Sequence, residues 1–78
     1  MPNIYVKNPI GIRLREKRIE LGMSQKDLAL ATGKQQSLIC KHERGQLKPS
    51  GDTLTIYARA LGVSERYLTG ESDDERVS

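Results

Sequence analysis

Residues 24–44, SQKDLALATGKQQSLICKHER, read as two short helices joined by a tight turn. Ser24 can cap the first helix by accepting from the backbone N–H of Asp27. Asp27 can reach back to close a capping box, although Glu or Gln is the commoner partner there. Met23 and Leu28 flank the cap at the spacing of a hydrophobic staple. Leu28 and Ala29 then point inward, and the small Ala29 lets a second helix cross closely. Gly33 can take φ > 0 without a Cβ clash, which ends one helix and turns the chain into the next.

The second helix, about 36–44, divides into two faces. Ile39 and His42 lie three apart and share one face, with Leu38 beside them. Gln36, Ser37, Cys40, Lys41 and Arg44 make up the other, which is polar and basic. Amide side chains pair bidentately with adenine edges and cations with guanine, so this face suits a DNA major groove.

These residues carry a family resemblance. Gln25, Leu28-Ala29, Gly33, Gln36-Ser37, Ile39 and Glu43-Arg44-Gly45 match the helix-turn-helix of lambda-repressor-like, or Cro/C1-type (XRE), transcriptional regulators. The match extends through Leu14-Arg15-Glu16-Lys17-Arg18 and Leu21-Gly22 before the motif. After it come Pro49-Ser50, Ala58 and Leu61-Gly62-Val63-Ser64, so residues 10–70 are covered. The chain thus resembles that family over most of its length. The resemblance implies an all-α, compact bundle of about five short helices that binds double-stranded DNA.

Composition agrees without being decisive. Seventy-eight residues make one small domain with a modest core, built without Phe or Trp. Residues 1–70 hold 12 Lys or Arg against 6 Asp or Glu, whereas the last eight hold one Arg and four acids. A basic body with an acidic end suits a polyanion-binding domain, or simply a soluble surface. The single Cys rules out an internal disulfide framework. No apolar run reaches the ~18 residues of a membrane span, and no signal peptide is evident, so a cytoplasmic protein is expected.

Outward from the motif, residues 1–9 read as an N-terminal arm containing the alternating run Ile4-Tyr5-Val6. The first helix is expected from 10 to 20 or 21, with Ile10, Leu14 and Leu21 as its inward stripe. Gly45 and Pro49 bound a loop. Ser50 opens the next helix, which buries Leu54, Tyr57, Ala58 and Leu61 at i, i+3, i+4, i+7 and leaves Ile56 outside. Val63 and Ser64 repeat the staple and cap for a last short helix ending at Gly70, and residues 71–78 read as an acidic flexible tail. Thr32 and Lys34 stand where the family carries apolar residues, which suggests a looser turn.

Arg18 falls within the apolar stripe of the first helix, and an unpaired buried cation is costly. Glu43 is its candidate partner, and the family resemblance implies this structural ion pair. In the docking that the resemblance implies, Gln36, Ser37 and Lys41 read base edges, with Gln35 a helix cap or further contact. Gln25, Lys34, Arg44 and Lys48 would hold phosphates. Cys40 is read as a small residue against the groove wall rather than a redox switch, and His42 as a partly buried histidine with a hydrogen-bond partner. No metal set, cofactor site or nucleophile–base pair is evident, so no enzyme is expected. The reading is therefore a transcriptional regulator, a repressor by default. It acts as a homodimer on a palindromic operator and has no room for a further sensing domain. The competing reading is a protein-interaction module, such as an antitoxin-like partner, working through the arm and tail. A basic face on the second motif helix argues against it.

Overall fold

A computed structural model describes residues 9–77. It contains α1 (Ile10–Glu20), α2 (Gln25–Thr32), α3 (Gln36–Glu43), α4 (Gly51–Leu61) and α5 (Glu65–Thr69), with no strand among the described residues. All but the last residue of the expected arm lie outside them, Ile4, Tyr5 and Val6 included.

The motif is built by local capping. Asp27 N–H donates to Ser24 Oγ at 2.9 Å, and Ser24 N–H donates to the Asp27 carboxylate at 2.9 Å. The capping box is thus complete with Asp in place of Glu, and the Ser24 hydrogen bonds hold the Asp27 carboxyl below its usual range. Gly33 has φ +71° and its N–H closes on Ala29 O. The turn is not looser for Thr32. Its hydroxyl donates back to Leu28 O at 2.7 Å and accepts from Lys34 N–H.

The core joins all five helices. Leu14, Leu28, Ile39, Tyr57 and Leu68 are fully enclosed, together with Ala58, Leu61 and Val63. Burying one such large side chain contributes about 1.5–3 kcal/mol, so a handful of them outweighs any single surface contact. Leu21 does not join them. The chain leaves α1 through Gly22 at φ +72°, with Met23 N–H bonded to Arg18 O. This closure turns Leu21 outward and puts Met23 against the core in its place. Ile56 is half-buried rather than outside, and Thr53 is buried through a contact between its hydroxyl and the Ser50 cap.

Gly11 and Lys17 fill the places on α1 that apolar spacing did not assign. Gly11 packs directly on the end of α3: a Cβ there would lie 2.7 Å from Glu43 O and closer still to His42 O. Lys17 is 8% exposed, its ammonium between Glu20 and Glu75. The hydrogen bond that its ammonium donates to Glu75 is the main cause holding the Lys17 pKa above its ordinary value.

Residues 71–77, read as a free end, lie against α1 and α5. Ser72 N–H donates to Arg66 O, and Ser64 N–H to Glu75 O at 2.9 Å. Arg13 reaches Ser72 O and Asp73. The cations that draw the segment in lie some 60 positions earlier, which is why its composition alone reads as solvated.

His42 takes a place suited to an aliphatic side chain. It is 3% exposed, with Nδ1 2.7 Å from Tyr57 Oη and its ring edge-on to Tyr57. Burial chiefly, with Lys34 nearby, lowers its pKa below 6.5, and burial raises that of Tyr57 to about 12. The unfolded chain binds the His42 proton more readily than the folded one does. Stability from this residue is therefore complete above pH 6.5 and is lost as pH falls from there towards the lower folded value. Thermal melts of wild type and His42→Leu from pH 8 to pH 5 should show a decline below pH 6.5 that the variant lacks. Parallel curves would remove His42 from the acid sensitivity.

Candidate nucleic-acid interface

The outer face of α3 gathers the side chains the sequence singled out. Gln36, Ser37 and Lys41 are exposed, Cys40 is half-buried between them, and Arg44 caps the helix in the open. Gln35 is the N-cap residue, but its side chain makes no cap hydrogen bond, so its amide is left for another partner. Ile39, His42 and Glu43 turn inward. The division follows from the 3.6-residue period: 36, 37, 41 and 44 repeat on one side and 39, 42 and 43 on the other.

Glu43 is the one acid on α3, and its inward turn keeps the outer face free of negative charge. Its carboxylate pairs with Arg18, Nε to Oε2 at 2.6 Å and Nη2 to Oε1 at 3.0 Å. The two side chains are 10% and 3% exposed, and Arg18 also donates to Met23 O at 2.7 Å. The Glu43 hydrogen bonds raise the Arg18 pKa further. Two parallel hydrogen bonds fix orientation as well as charge. They tie the end of α3 to α1 and to the entry of α2.

Gln25 stands at the first position of α2, half-buried, and its Nε2 donates to Glu43 Oε1 at 3.2 Å. The acid that neutralises Arg18 thus also fixes the Gln25 amide. Lys34 is half-buried in the turn and Lys48 exposed in the loop after α3. The structure therefore brings Gln25 and Arg44 together at one end of α3.

Between α1, α2 and α3 lies an open cleft of about 470 Å³, lined by Arg15, Arg18, Gln25, Cys40, Glu43 and Arg44. Arg15 was missed by the sequence reading because it lies outside the motif. A signal was present: three positions before Arg18 on a helix, it shares that side of α1. With Arg18 held by Glu43, the cations of Arg15 and Arg44 and the Gln25 amide remain as donors around the cleft. A wall with this chemistry suits an oxygen anion. Among the described residues, no three His, Cys, Asp or Glu come together in a metal-sized group. Nor, among the described residues, is any helix long and apolar enough to cross a membrane.

A helix-turn-helix family model matches residues 14–68. Among solved structures, the chain is similar to the P22 c2 repressor bound to a synthetic operator, at 30% identity and TM-score 0.76, covering 81% of this chain and 96% of that one. It is similar to the restriction-modification controller protein C.AhdI from Aeromonas hydrophila, at 38% identity and TM-score 0.73, with 77% and 91% covered. The N-terminal DNA-binding domain of SinR from Bacillus subtilis matches at 33% identity and TM-score 0.72, with 76% and 87% covered.

Proposed function

The chain belongs to the helix-turn-helix family of Cro/C1-type DNA-binding transcription regulators, and from that premise we propose that it represses transcription as a homodimer on a two-fold symmetric operator. α3 enters the major groove. Gln36, Ser37 and Lys41 meet base edges, with Gln35 beside them, because amide, hydroxyl and ammonium groups match the donor and acceptor pattern there. Gln25, Lys34, Arg44 and Lys48 hold the sugar-phosphate backbone, and Arg15 joins them across the cleft it shares with Gln25 and Arg44. The observation that carries this reading is the acid-free, exposed face of α3 beside that cationic cleft. Two copies place their α3 helices in successive grooves, ~34 Å apart. The subunit contact falls on half-buried Ile56 and the exposed side of α5, Val63 beside them being buried.

The test is fluorescence anisotropy on a random duplex across a salt series, followed by sequence selection from that pool. Steep loss of binding with salt and enrichment of a palindrome are expected. Absence of binding at low salt would overturn the reading. Single variants separate the roles. Lys41→Ala should cost about 1–3 kcal/mol on the selected site and little on random DNA. Arg15→Ala should weaken both equally and reduce the slope of log K against log salt by about 1. A Lys41→Ala loss that is equal on both duplexes would make it a backbone contact.

A further inference from the structure

A second basic surface lies on the other side of α1, and its partner here is the chain's own acidic end. Arg13 Nη1 donates to Tyr67 O at 2.7 Å and to Ser72 O at 2.8 Å, and Nη2 pairs with Asp73 at 2.7 Å. Its guanidinium lies 4.4 Å from the centre of the Tyr67 ring. One turn along, Lys17 pairs with Glu75. Ser64, the cap of α5, donates from its N–H to Glu75 O and from its hydroxyl to Asp74 O. Asp73 and Glu75 thus reach two neighbouring cations on α1, Arg13 and Lys17 in turn, while Asp74 turns away to Arg76. Two carboxylates two positions apart meet two cations one helical turn apart, so this surface matches the pattern Asp-X-Glu.

The two halves of this contact are unequal. On the α1 side, Arg13 and Lys17 side chains are 21% and 9% exposed; on the segment's side, Asp73 and Glu75 are 96% and 43% exposed. Without the segment, Arg13 keeps Tyr67 O and the Tyr67 ring, and Lys17 keeps Glu20. The receiving surface is therefore built independently of what fills it. The segment is held by solvent-facing ion pairs, which are individually weak and screened by salt. Its place is one that another segment of the same chemistry can take.

We propose that the cleft between α1 and α5, formed by Arg13, Lys17, Ser64 and Tyr67, is a docking site for an acidic Asp-X-Glu segment of a partner protein, which displaces residues 73–75. The internal segment acts as a tethered competitor at an effective concentration of order millimolar, so only a comparable or better acidic segment enters.

The probe is a fluorescent peptide of sequence ESDDERV, titrated at low salt against the full chain and against the full chain carrying Asp73→Asn and Glu75→Gln. That double variant weakens the internal competitor and leaves the cleft intact. The peptide should bind the variant at least about tenfold more tightly than wild type. The same peptide with Asn and Gln at its two contact positions should bind at least tenfold more weakly. Adding Lys17→Met to the variant should abolish binding. Equal binding of the two peptides would show that the two carboxylates make no contact with the protein and overturn the proposal, as would equal affinity for the two proteins. Absence of binding to the variant would overturn it too.

Discussion

Gly11→Ala should lower the melting temperature by roughly 12–24 °C, following a loss of about 3 kcal/mol or more. In an unobstructed helix this change would stabilise, because Ala exceeds Gly in helix propensity by about 1 kcal/mol. Here the added methyl would overlap the carbonyl oxygens of His42 and Glu43, which are backbone atoms in the last turn of α3. A side chain could swing aside; these atoms move only if α1 and α3 separate. Separation would pull Arg18 from Glu43 and loosen the His42–Tyr57 contact, so the loss is not confined to one site. Gly51→Ala supplies the control. It adds the same methyl at the first position of α4, where nothing lies within 4 Å. Its melting temperature should stay level or rise. Thermal unfolding by circular dichroism checks both, and a Gly11→Ala melt at or above wild type would show that the two helices can part at little cost.

The contrast between those glycines marks what the sequence could and could not disclose. Gly33 was legible because its role is local: a helix pattern stops there and a capped one begins. Ser24, Asp27, Ser50 and Ser64 were legible for the same reason, since a cap and its recipient lie three residues apart. Gly11 carries no local mark, since its role comes from α3 passing more than thirty positions later. Lys17 and residues 71–77 escaped together, because the contact between them joins positions 58 residues apart. Leu21 was assigned inward by extending the helical period one residue too far, past the point where Gly22 turns the chain. For the candidate site, the period along α3 sorted its exposed from its buried residues, including an inward His42. Arg15 depended on how α1 crosses the motif, which periodicity within the motif does not contain.

Glu43→Gln should destabilise by about 3–5 kcal/mol, and Arg18→Met by a similar amount, because each leaves a buried charge without its counter-charge. Glu43→Gln leaves the Arg18 guanidinium without a counter-charge, facing one neutral amide oxygen and Met23 O. Arg18→Met strands the Glu43 carboxylate, with the single amide hydrogen bond from Gln25. The double variant Arg18→Met/Glu43→Leu removes both charges together and fills the space with apolar atoms. It should recover most of the loss, because the desolvation of two ions disappears along with their attraction. Urea unfolding of wild type, Arg18→Met, Glu43→Leu and the double variant closes the cycle and gives the coupling energy directly. A double variant as unstable as the sum of the singles would mean that the residues act independently and that their short contacts are not energetically coupled. DNA affinity should not recover with stability. Glu43 holds the Gln25 amide beside the cleft, and a leucine there offers no acceptor. The double variant should therefore fold yet bind a selected operator more weakly than wild type. In that case, the pair fixes the Gln25 donor as well as the packing of α1 against α3. Full affinity in the folded double variant would confine the pair to stability and leave Gln25 positioned by α2 alone.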